Sequence, residues 1–562
     1  MTQILKEKAS FWSKNRVWLS AAALGMITFI CIYGIRVLNV TYDAWLLNGG
    51  DLSQHYLGWC FFRNSDWFFP VGLMNSIAYP NHVSVIFTDS IPLLAVIFKG
   101  FRALLPETFQ YFGIWGILCF GLQGAFGALI LRHYLKDEIT AIIGSLFFVI
   151  APIVIYRMFM HSALGGQWLL LLAFWLGLER DKFSLVKKVI LWSVLGFLCG
   201  SIHLYFVPMC GLIMCAFLLE ELIHKKNLFT CLATGAGYCF CVLVTIYVFG
   251  GFSNDHQLDA GGLGQFSFNI NGLVNPQGWS RILPTLPLYG DGAGEGLAYT
   301  GTGILILLAV GGIFFIFSVI RNRINKSGMK WYAKTRGENR NCIAYILICV
   351  LSLVISFSHK LALGNHVIWD IPYPDKMVSL WGMFRSSGRF IWPVVYILIL
   401  AAFVIWDRIL SNKRALAIVI CAALAIQIWD SFPQLKIRND EFGKEQLYQE
   451  NLKDEHWEEW AGDKEHIVFV SYIVENQGLL YSLSNYAVKN NMTVNNFYLA
   501  HSAARSDINK ALEEELMHPQ KNTLYIYKMD DENLCTQPEM DYIQIDGIIV
   551  LSLIHISEPT RH

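Results

Sequence analysis

Long apolar runs separated by short polar connectors occupy most of the chain. A membrane-spanning helix needs about 20 predominantly apolar residues, and several runs approach this length. They cover residues 17–38, 112–131, 141–156, 166–178, 189–202, 204–219, 228–249, 304–320, 343–357, 391–406 and 416–429. This pattern predicts an α-helical polytopic membrane protein with about 11 spans.

Lysine and arginine are concentrated in the connectors 132–136, 180–188, 225–226, 321–340 and 408–414. Because basic loops are retained in the cytoplasm, we expect a cytoplasmic N-terminus. The apolar segment 91–105 carries Lys99 and Arg102. If it crossed the membrane, every later basic loop would lie outside the cytoplasm. We therefore expect it to lie in the membrane interface as an amphipathic helix.

The composition changes near residue 430. The chain becomes more charged, and its apolar runs shorten to 467–470, 523–527 and 543–549. We predict a transmembrane domain over 1–430 and a small α/β domain over 431–550. An odd number of spans puts this second domain outside the cytoplasm.

The end of the sequence has a different origin in our interpretation. Residues 551–561 read Leu-Ser-Leu-Ile-His-Ile-Ser-Glu-Pro-Thr-Arg, which is the in-frame translation of a transposase sequencing adapter. We expect 551–562 to be an artefact outside the fold, and the natural chain to continue past Val550.

The overall composition supports a membrane location and excludes some partners. Hydrophobic residues make up 54% of the chain and charged residues 15%, against about 25% charged in soluble domains. The net charge is zero and no dense basic run occurs, so nucleic acid is not an expected partner. Most of the 13 cysteines lie in apolar runs, and they form neither a zinc motif nor a disulfide framework.

The first long loop begins with a cluster of polar residues. Asp51, Gln54 and His55 lie within five positions, and on a helix Asp51 and His55 share one face. Asp51 suits a general base acting on an acceptor hydroxyl, or a metal ligand; capping of an interfacial helix is the alternative. Asp89, later in the same loop, is either a substrate ligand or the N-cap of the segment 91–105.

Two further polar positions are expected on the same side of the membrane. Arg157 and His161 follow the third predicted span four residues apart, as substrate ligands or as a snorkelling arginine with its neighbour. Glu295 lies among glycines that allow close backbone approach to a ligand. Its alternative is an ordinary solvated loop acid.

A pair of arginines precedes the tenth predicted span. Arg385 and Arg389 are four residues apart at a helix entry, where free backbone N–H groups also attract anions. Two guanidiniums on one face can bind a phosphate. The alternative is a pair of snorkelling anchors, but their expected outer location opposes the positive-inside bias.

These motifs together resemble the GT-C type of membrane glycosyltransferase, and most closely an uncharacterised bacterial multi-pass family of that type. The resemblance covers nearly the whole chain to Val550. It lies in Gly50-Asp-x-x-Gln-His55, Phe69-Pro-x-Gly72, Thr88-Asp-Ser-Ile-Pro92, Glu295-Gly-x-Ala-Tyr299 and Phe384-Arg-Ser-Ser-Gly-Arg389. The chain lacks the Asp-Glu pair of protein mannosyltransferases, having Asp51-Leu52, and the Trp-Trp-Asp signature of oligosaccharyltransferases. Neither acceptor class is therefore assumed.

The resemblance implies an inverting transferase in the bacterial inner membrane. It would move a sugar from a polyprenyl-phosphate donor to an extracytoplasmic envelope glycan, lipid or protein. The implied catalytic residues are Asp51, His55 and Glu295, and the implied substrate-binding residues are Gln54, Asp89, Arg157, His161, Arg385 and Arg389. Metal dependence stays open, with a divalent cation as the candidate cofactor.

A non-catalytic membrane assembly or transport protein for envelope polysaccharide, built on the same fold, is the alternative. A transporter places its polar residues near the middle of the membrane. Here the informative polar residues lie at the ends of predicted spans, which argues against transport but not against an assembly role.

Overall fold

The computed structural model describes residues 2–253, 262–324, 341–471, 473, 476–499, 505–529 and 540–553. The larger, N-terminal part is helical. Its helices are α1 (Thr2–Tyr33), α2 (Gly50–Asn64), α3 (Pro92–Gly100), α4 (Phe112–Tyr134), α5 (Glu138–Val149), α6 (Pro152–Arg157), α7 (Trp168–Leu178), α8 (Leu185–Ile202), α9 (Phe206–Lys225), α10 (Leu228–Val248), α11 (Thr302–Ile324), α12 (Cys342–Phe357), α13 (Asp375–Gly382), α14 (Trp392–Ile409) and α15 (Lys413–Phe442).

Many of these helices have the length and composition of membrane spans. Among the described residues, 7 stretches are long and apolar enough to cross: Asn15–Tyr33, Phe112–Tyr134, Leu185–Ile202, Phe206–Lys225, Leu228–Val248, Ser387–Ile409 and Lys413–Phe442. Shorter apolar helices cover Glu138–Val149, Ser162–Leu178, Thr302–Phe317 and Cys342–Phe357. The chain is a membrane protein, and each stretch matches one predicted run. That 11 segments cross the bilayer stays a prediction.

The third predicted span, residues 141–156, is not one helix. α5 ends at Val149, and α6 begins at Pro152 and ends at Arg157. Proline lacks an N–H and clashes with the preceding turn, so it starts helices more readily than it continues them. α6 is therefore a separate short helix, with Arg157 at its C-terminal end.

The first long loop contains α2, a short hairpin of β1 (Leu73–Met74) and β2 (Val83–Ser84), and α3. The segment expected to lie in the interface forms α3, which has only 9 residues. At about 1.5 Å per residue it falls far short of the ~30 Å hydrocarbon core. The Lys99 ammonium is buried and donates to the Ser65 hydroxyl and the Asp66 carbonyl at 2.9 and 3.0 Å.

A second hairpin, β3 (Lys360–Leu363) with β4 (His366–Asp370), follows α12. The C-terminal part contains α16 (His456–Trp460), α17 (Gln477–Lys489) and α18 (Arg505–Met517), with β5 (His466–Phe469), β6 (Thr493–Val494), β7 (Thr523–Lys528), β8 (Met540–Ile545) and β9 (Ile548–Leu553). The sheet order is β6-β5-β7-β9-β8. β5 is parallel to β6 and β7, and β9 is antiparallel to β7 and β8.

The expected boundary at 430/431 stays a prediction, and the one at 550/551 needs correction. The boundary at 430/431 falls inside α15, which continues without interruption to Phe442. At the other end, Leu551 and Leu553 pair with β7 and β8, and Leu551 is fully buried. Residues 548–552 of this strand are all buried, so its buried part extends past Val550. The fold therefore includes 551–553; residues 554–562 lie outside the described residues, and their adapter origin stays a prediction.

The C-terminal domain packs directly on the first loop. The Val494 N–H donates to the Ser76 carbonyl at 2.8 Å, and the Tyr79 N–H donates to the Val494 carbonyl at 3.1 Å. The Tyr79 ring stacks on His466 with centroids 3.9 Å apart, and α17 packs against α2. These contacts bring the C-terminal domain close to the helix that carries Asp51.

Candidate functional site

A cavity of about 330 Å³ lies between the first loop, the junction of α8 with α9, and the segment before α14. Apolar side chains form much of its wall. Its polar lining consists of Asp51, Gln54, Asp89, His161, His203, Tyr205, Arg385, Ser386, Arg389 and Tyr498. Three predicted site residues, His55, Arg157 and Glu295, are not among the lining residues.

Asp51 faces this cavity with a histidine as its partner. Its Oδ2 lies 3.3 Å from His161 Nε2, and Arg157 Nη1 lies 3.3 Å from His161 Nδ1. A guanidinium only donates and a carboxylate only accepts, so the tautomer with its hydrogen on Nε2 satisfies both Arg157 and Asp51. Arg389 Nη2 also lies 3.4 Å from Nε2, and it has its acceptor in Glu295. Burial and the guanidiniums of Arg389 and Arg157 hold the pKa of His161 well below its ordinary value. His161 is thus a neutral donor that orients the carboxylate.

The surroundings of Asp51 raise its pKa to about 6. Burial is the main cause, and the negative charges of Asp89 and Glu295 add to it. The guanidiniums of Arg389 and Arg157 act in the opposite direction and offset only part of the shift. Asp51 is therefore mostly ionised at neutral pH and close enough to its pKa to exchange a proton, as a general base requires.

Glu295 has a contrasting environment. Its Oε2 accepts from Arg157 Nη1 at 2.8 Å and from Arg389 Nη2 at 2.7 Å, and its carbonyl accepts from Arg157 Nη2 at 2.8 Å. Burial raises the pKa of Glu295, but the two guanidiniums outweigh it and leave the pKa well below its ordinary value. This geometry suits an anion that fixes two arginines and does not favour the expected catalytic role.

The loop that carries Glu295 is held by Asp430 of α15. Asp430 Oδ1 accepts from the Ser280 hydroxyl at 2.7 Å, and Oδ2 accepts from the Thr302 and Tyr299 hydroxyls at 2.6 and 3.0 Å. From the sequence, Asp430 was expected only to end the transmembrane domain. The missed signal was an acid at the end of an apolar run, which needs internal partners to be buried.

The expected two-arginine phosphate clamp is not formed on one helix face. Arg389 lies in a 3-10 turn (Ser387–Ile391), and Arg385 precedes that turn. Arg389 is held by Glu295 and packs over the Tyr205 ring, 5.0 Å from its centroid. Arg385 lies 5.8 Å from the Phe266 ring centroid, and among the described residues no carboxylate is paired with it. Arg385 is the cation left for a ligand.

Asp89 is not the N-cap of α3. The N-cap position of α3 is Ile91, which makes no side-chain cap bond. Asp89 Oδ1 instead lies 3.4 Å from His203 Nε2. The Tyr205 N–H donates to His203 Nδ1 at 3.2 Å, so Nε2 carries the hydrogen that points to Asp89. Burial raises the pKa of Asp89, but the interaction with His203 outweighs it and leaves the pKa below its usual value.

Gln54 and His55 differ in their access to the cavity. Asp51 and His55 both lie in α2, as predicted, but His55 is fully buried behind the wall. Its Nδ1 lies 3.2 Å from the Ser162 hydroxyl, and burial lowers its pKa to about 4. His55 is therefore neutral and out of reach of a ligand in the cavity. Gln54 lines the cavity and is 2% exposed.

The described residues offer no arrangement for a metal ion. Among them, no group of three or more His, Cys, Asp or Glu side chains could hold one. The acids near the cavity are paired with imidazoles or guanidiniums instead. We assign no chemical step to a metal, and a divalent-cation requirement stays a prediction.

Four polar lining residues, His203, Tyr205, Ser386 and Tyr498, are not among the site residues predicted from the sequence. His203 and Tyr205 lie in the junction between α8 and α9. An isolated histidine at a span end is more often structural, and the pairing of His203 with Asp89 is visible only in three dimensions. Tyr498 comes from the C-terminal domain, and nothing in its local sequence indicates a site.

Two family models match most of this chain. The family model "Domain of unknown function (DUF6311)" matches residues 22–432, and "DUF6311 C-terminal domain" matches 456–553. The chain belongs to the DUF6311 family. The second DUF6311 match ends at the last residue of β9, in agreement with a fold that extends past Val550. No curated protein matches this chain.

Solved structures of an Archaeoglobus fulgidus oligosaccharyltransferase are distantly similar. The apo form is 11% identical, covers 92% of this chain and 70% of its own, and has a TM-score of 0.44. The form tethered to an acceptor peptide is 10% identical, with coverages of 98% and 75% and a TM-score of 0.44. The complex with an inhibitory peptide and dolichol-phosphate gives the same identity and coverages and a TM-score of 0.42. Similarity this low carries no argument about this DUF6311 chain.

Proposed function

We propose that this chain is a membrane glycosyltransferase that moves a sugar from a polyprenyl-phosphate donor to a hydroxyl of an envelope acceptor. The observation that carries the proposal is that Asp51 and Arg385 both line one cavity. Asp51 is an ionised carboxylate with a raised pKa, and Arg385 has no carboxylate partner among the described residues. A glycosyl transfer from a lipid phosphate needs one proton acceptor and one cation at the leaving group.

The reaction follows from these two groups. Asp51 takes the proton of the acceptor hydroxyl, and the acceptor oxygen bonds to the anomeric carbon of the donor sugar. The bond between that carbon and the phosphate oxygen breaks, and its electron pair stays on the phosphate. Attack opposite to the leaving group inverts the anomeric centre. His161 keeps the Asp51 carboxylate oriented through its Nε2–H.

Arg385 binds the phosphate as negative charge grows on it, because a guanidinium forms charge-assisted hydrogen bonds with phosphate oxygens. Arg389 contributes positive charge but is already held by Glu295. The lipid chain lies along the apolar wall of the cavity, which includes Ile86, Phe87, Ile202, Val207, Ile246 and Phe252. A donor embedded in the bilayer thus reaches the cavity with its phosphate toward Arg385.

The proposed location is the bacterial inner membrane, with the N-terminus in the cytoplasm and both the cavity and the C-terminal domain outside. The basic connectors support this orientation. Cysteines introduced at residues 106–110 and labelled from each side test it. Labelling of these cysteines only from the cytoplasmic side would contradict the proposed orientation.

The test of function uses purified protein in liposomes with polyprenyl-phosphate sugars carrying labelled glucose, mannose, galactose or N-acetylglucosamine. Envelope extract supplies the acceptor. We expect label to move from one donor into the acceptor, with release of polyprenyl phosphate, and both to be lost in Arg385→Ala at limiting donor. If no donor supports transfer, the glycosyltransferase proposal fails and a non-catalytic assembly role becomes the better account.

A further inference from the structure

The wall of the cavity contains a second acid–imidazole pair that the proposed proton transfer does not use. Asp89 and His203 both line the cavity, with their side chains 15% and 11% exposed. Asp89 Oδ1 faces His203, and among the described residues no donor reaches Oδ2. One carboxylate oxygen is therefore free to accept hydrogen bonds from a ligand.

The backbone around Asp89 is strained. Asp89 and Ile91 have φ values of 54° and 52°, a region that a β-branched residue such as isoleucine rarely adopts. The Ser90 hydroxyl donates to the His55 carbonyl at 2.7 Å, and the Tyr111 hydroxyl donates to the Ser90 carbonyl. Strained residues persist where the surrounding structure holds them, and they concentrate at ligand sites. Here the strain points the Asp89 carboxylate into the cavity.

The hydrogen bond from Ser90 to the His55 carbonyl ties the Asp89 turn to α2. A close approach is also required: a Cβ on Gly58 of α2 would lie 2.6 Å from the Thr88 Cβ, so glycine is needed there. α2 brings Gln54 to the same cavity, where its Nε2 is buried without a hydrogen-bond partner among the described residues. A buried amide left unpaired costs about 1–3 kcal/mol, which a bound ligand would remove.

We propose that Asp89, with Gln54 and the supporting His203, forms the subsite that binds the sugar hydroxyls of the donor. The subsite offers a carboxylate oxygen that accepts and a carboxamide that both donates and accepts. Neighbouring hydroxyls on a sugar ring present this combination, whereas a phosphate offers only acceptors. This inference rests on the proposed function and names the part of the substrate that this wall selects.

Its test measures binding and needs no turnover. The probes are farnesyl phosphate and farnesyl phosphates carrying glucose, mannose, galactose or N-acetylglucosamine, titrated against the full chain in detergent. We expect wild type to bind at least one sugar-bearing probe more tightly than farnesyl phosphate. Asp89→Asn and Gln54→Leu should each weaken that probe by about 10- to 100-fold, with farnesyl phosphate unchanged. Asp66→Asn, an exposed acid of the same loop, is the control and should change neither.

The outcomes separate the two claims. Equal binding of all probes by wild type, or an equal loss for both kinds of probe in Asp89→Asn, overturns the sugar subsite. Tight and selective sugar binding without any transfer supports the subsite and overturns the proposed reaction. If Asp89→Asn fails to fold, Gln54→Leu decides alone, because it leaves the strained turn unchanged.

Discussion

Asp51 and Glu295 are two carboxylates that look equivalent in the sequence and are opposite in the structure. Asp51 faces a cavity, has a neutral imidazole as its partner, and has its pKa raised to about 6. Glu295 is enclosed by two guanidiniums that hold its pKa well below the ordinary range. The charge around an acid, more than the sequence motif in which it lies, therefore determines whether it can take a proton from a substrate.

The largest expected effect is on the rate of transfer by Asp51→Asn. The amide keeps the shape of the carboxylate but cannot accept a proton, so we expect a loss of about 10²–10⁴-fold in kcat. The measurement is transfer by reconstituted protein at saturating donor. Asp66→Asn should retain the wild-type rate. An unchanged rate in Asp51→Asn would show that Asp51, like Glu295, does not take the proton, and the proposed mechanism would be wrong.

Glu295→Gln should act first on stability. It leaves the buried guanidiniums of Arg157 and Arg389 without their anion, and breaking a buried ion pair costs about 3–5 kcal/mol. Thermal unfolding in detergent should show a clear decrease in Tm. Glu445→Gln is the matched control, because the exposed pair of Glu445 with Arg36 contributes only ~0–1 kcal/mol. Equal Tm values for the two variants would contradict the structural role of Glu295.

Arg385 and Arg281 should differ in their effect on donor binding. Arg385→Ala removes a charge-assisted hydrogen bond to the donor phosphate and should weaken donor binding by about 1.5–3 kcal/mol. Arg281→Ala, an arginine packed on Trp429 and Phe432 outside the cavity, should leave donor binding unchanged. An unchanged affinity of Arg385→Ala for the donor would exclude a contact between Arg385 and the donor phosphate.

The smallest expected effect has the opposite sign to that of Glu295→Gln. The pKa of Asp51 is raised on folding from 3.8 to about 6, so the cost of its ionisation to stability builds up between these pH values and is complete above them. Asp51→Asn removes that charge and should stabilise the protein at pH 7.5 by about 1 kcal/mol, reduced by solvent access. Below the ordinary pKa of 3.8, where the carboxyl is protonated in both the folded and the unfolded chain, the gain should vanish. A lower Tm at pH 7.5 would indicate that Asp51 has a structural role instead.

The sequence predicted the helical segments and a helix in the segment 91–105 that is too short to cross, because hydrophobic length is a local signal. It named six of the residues that line the cavity, but it predicted only a common side of the membrane for them and not the cavity itself. It did not predict the break before Pro152 or the continuation of α15 past Asp430. It also missed the pairing of Asp89 with His203 and the enclosure of Glu295 by Arg157 and Arg389. These depend on contacts between residues more than 90 positions apart, and no local pattern encodes them.

The most direct test of the central claim is the pH dependence of the single-turnover rate of transfer. If Asp51 is the general base, the wild-type rate should fall about tenfold per pH unit below pH 6. The residual rate of Asp51→Asn should be independent of pH over the same range. An acid limb of the same midpoint in Asp51→Asn would show that another group takes the proton, and the assignment of Asp51 as the base would be wrong.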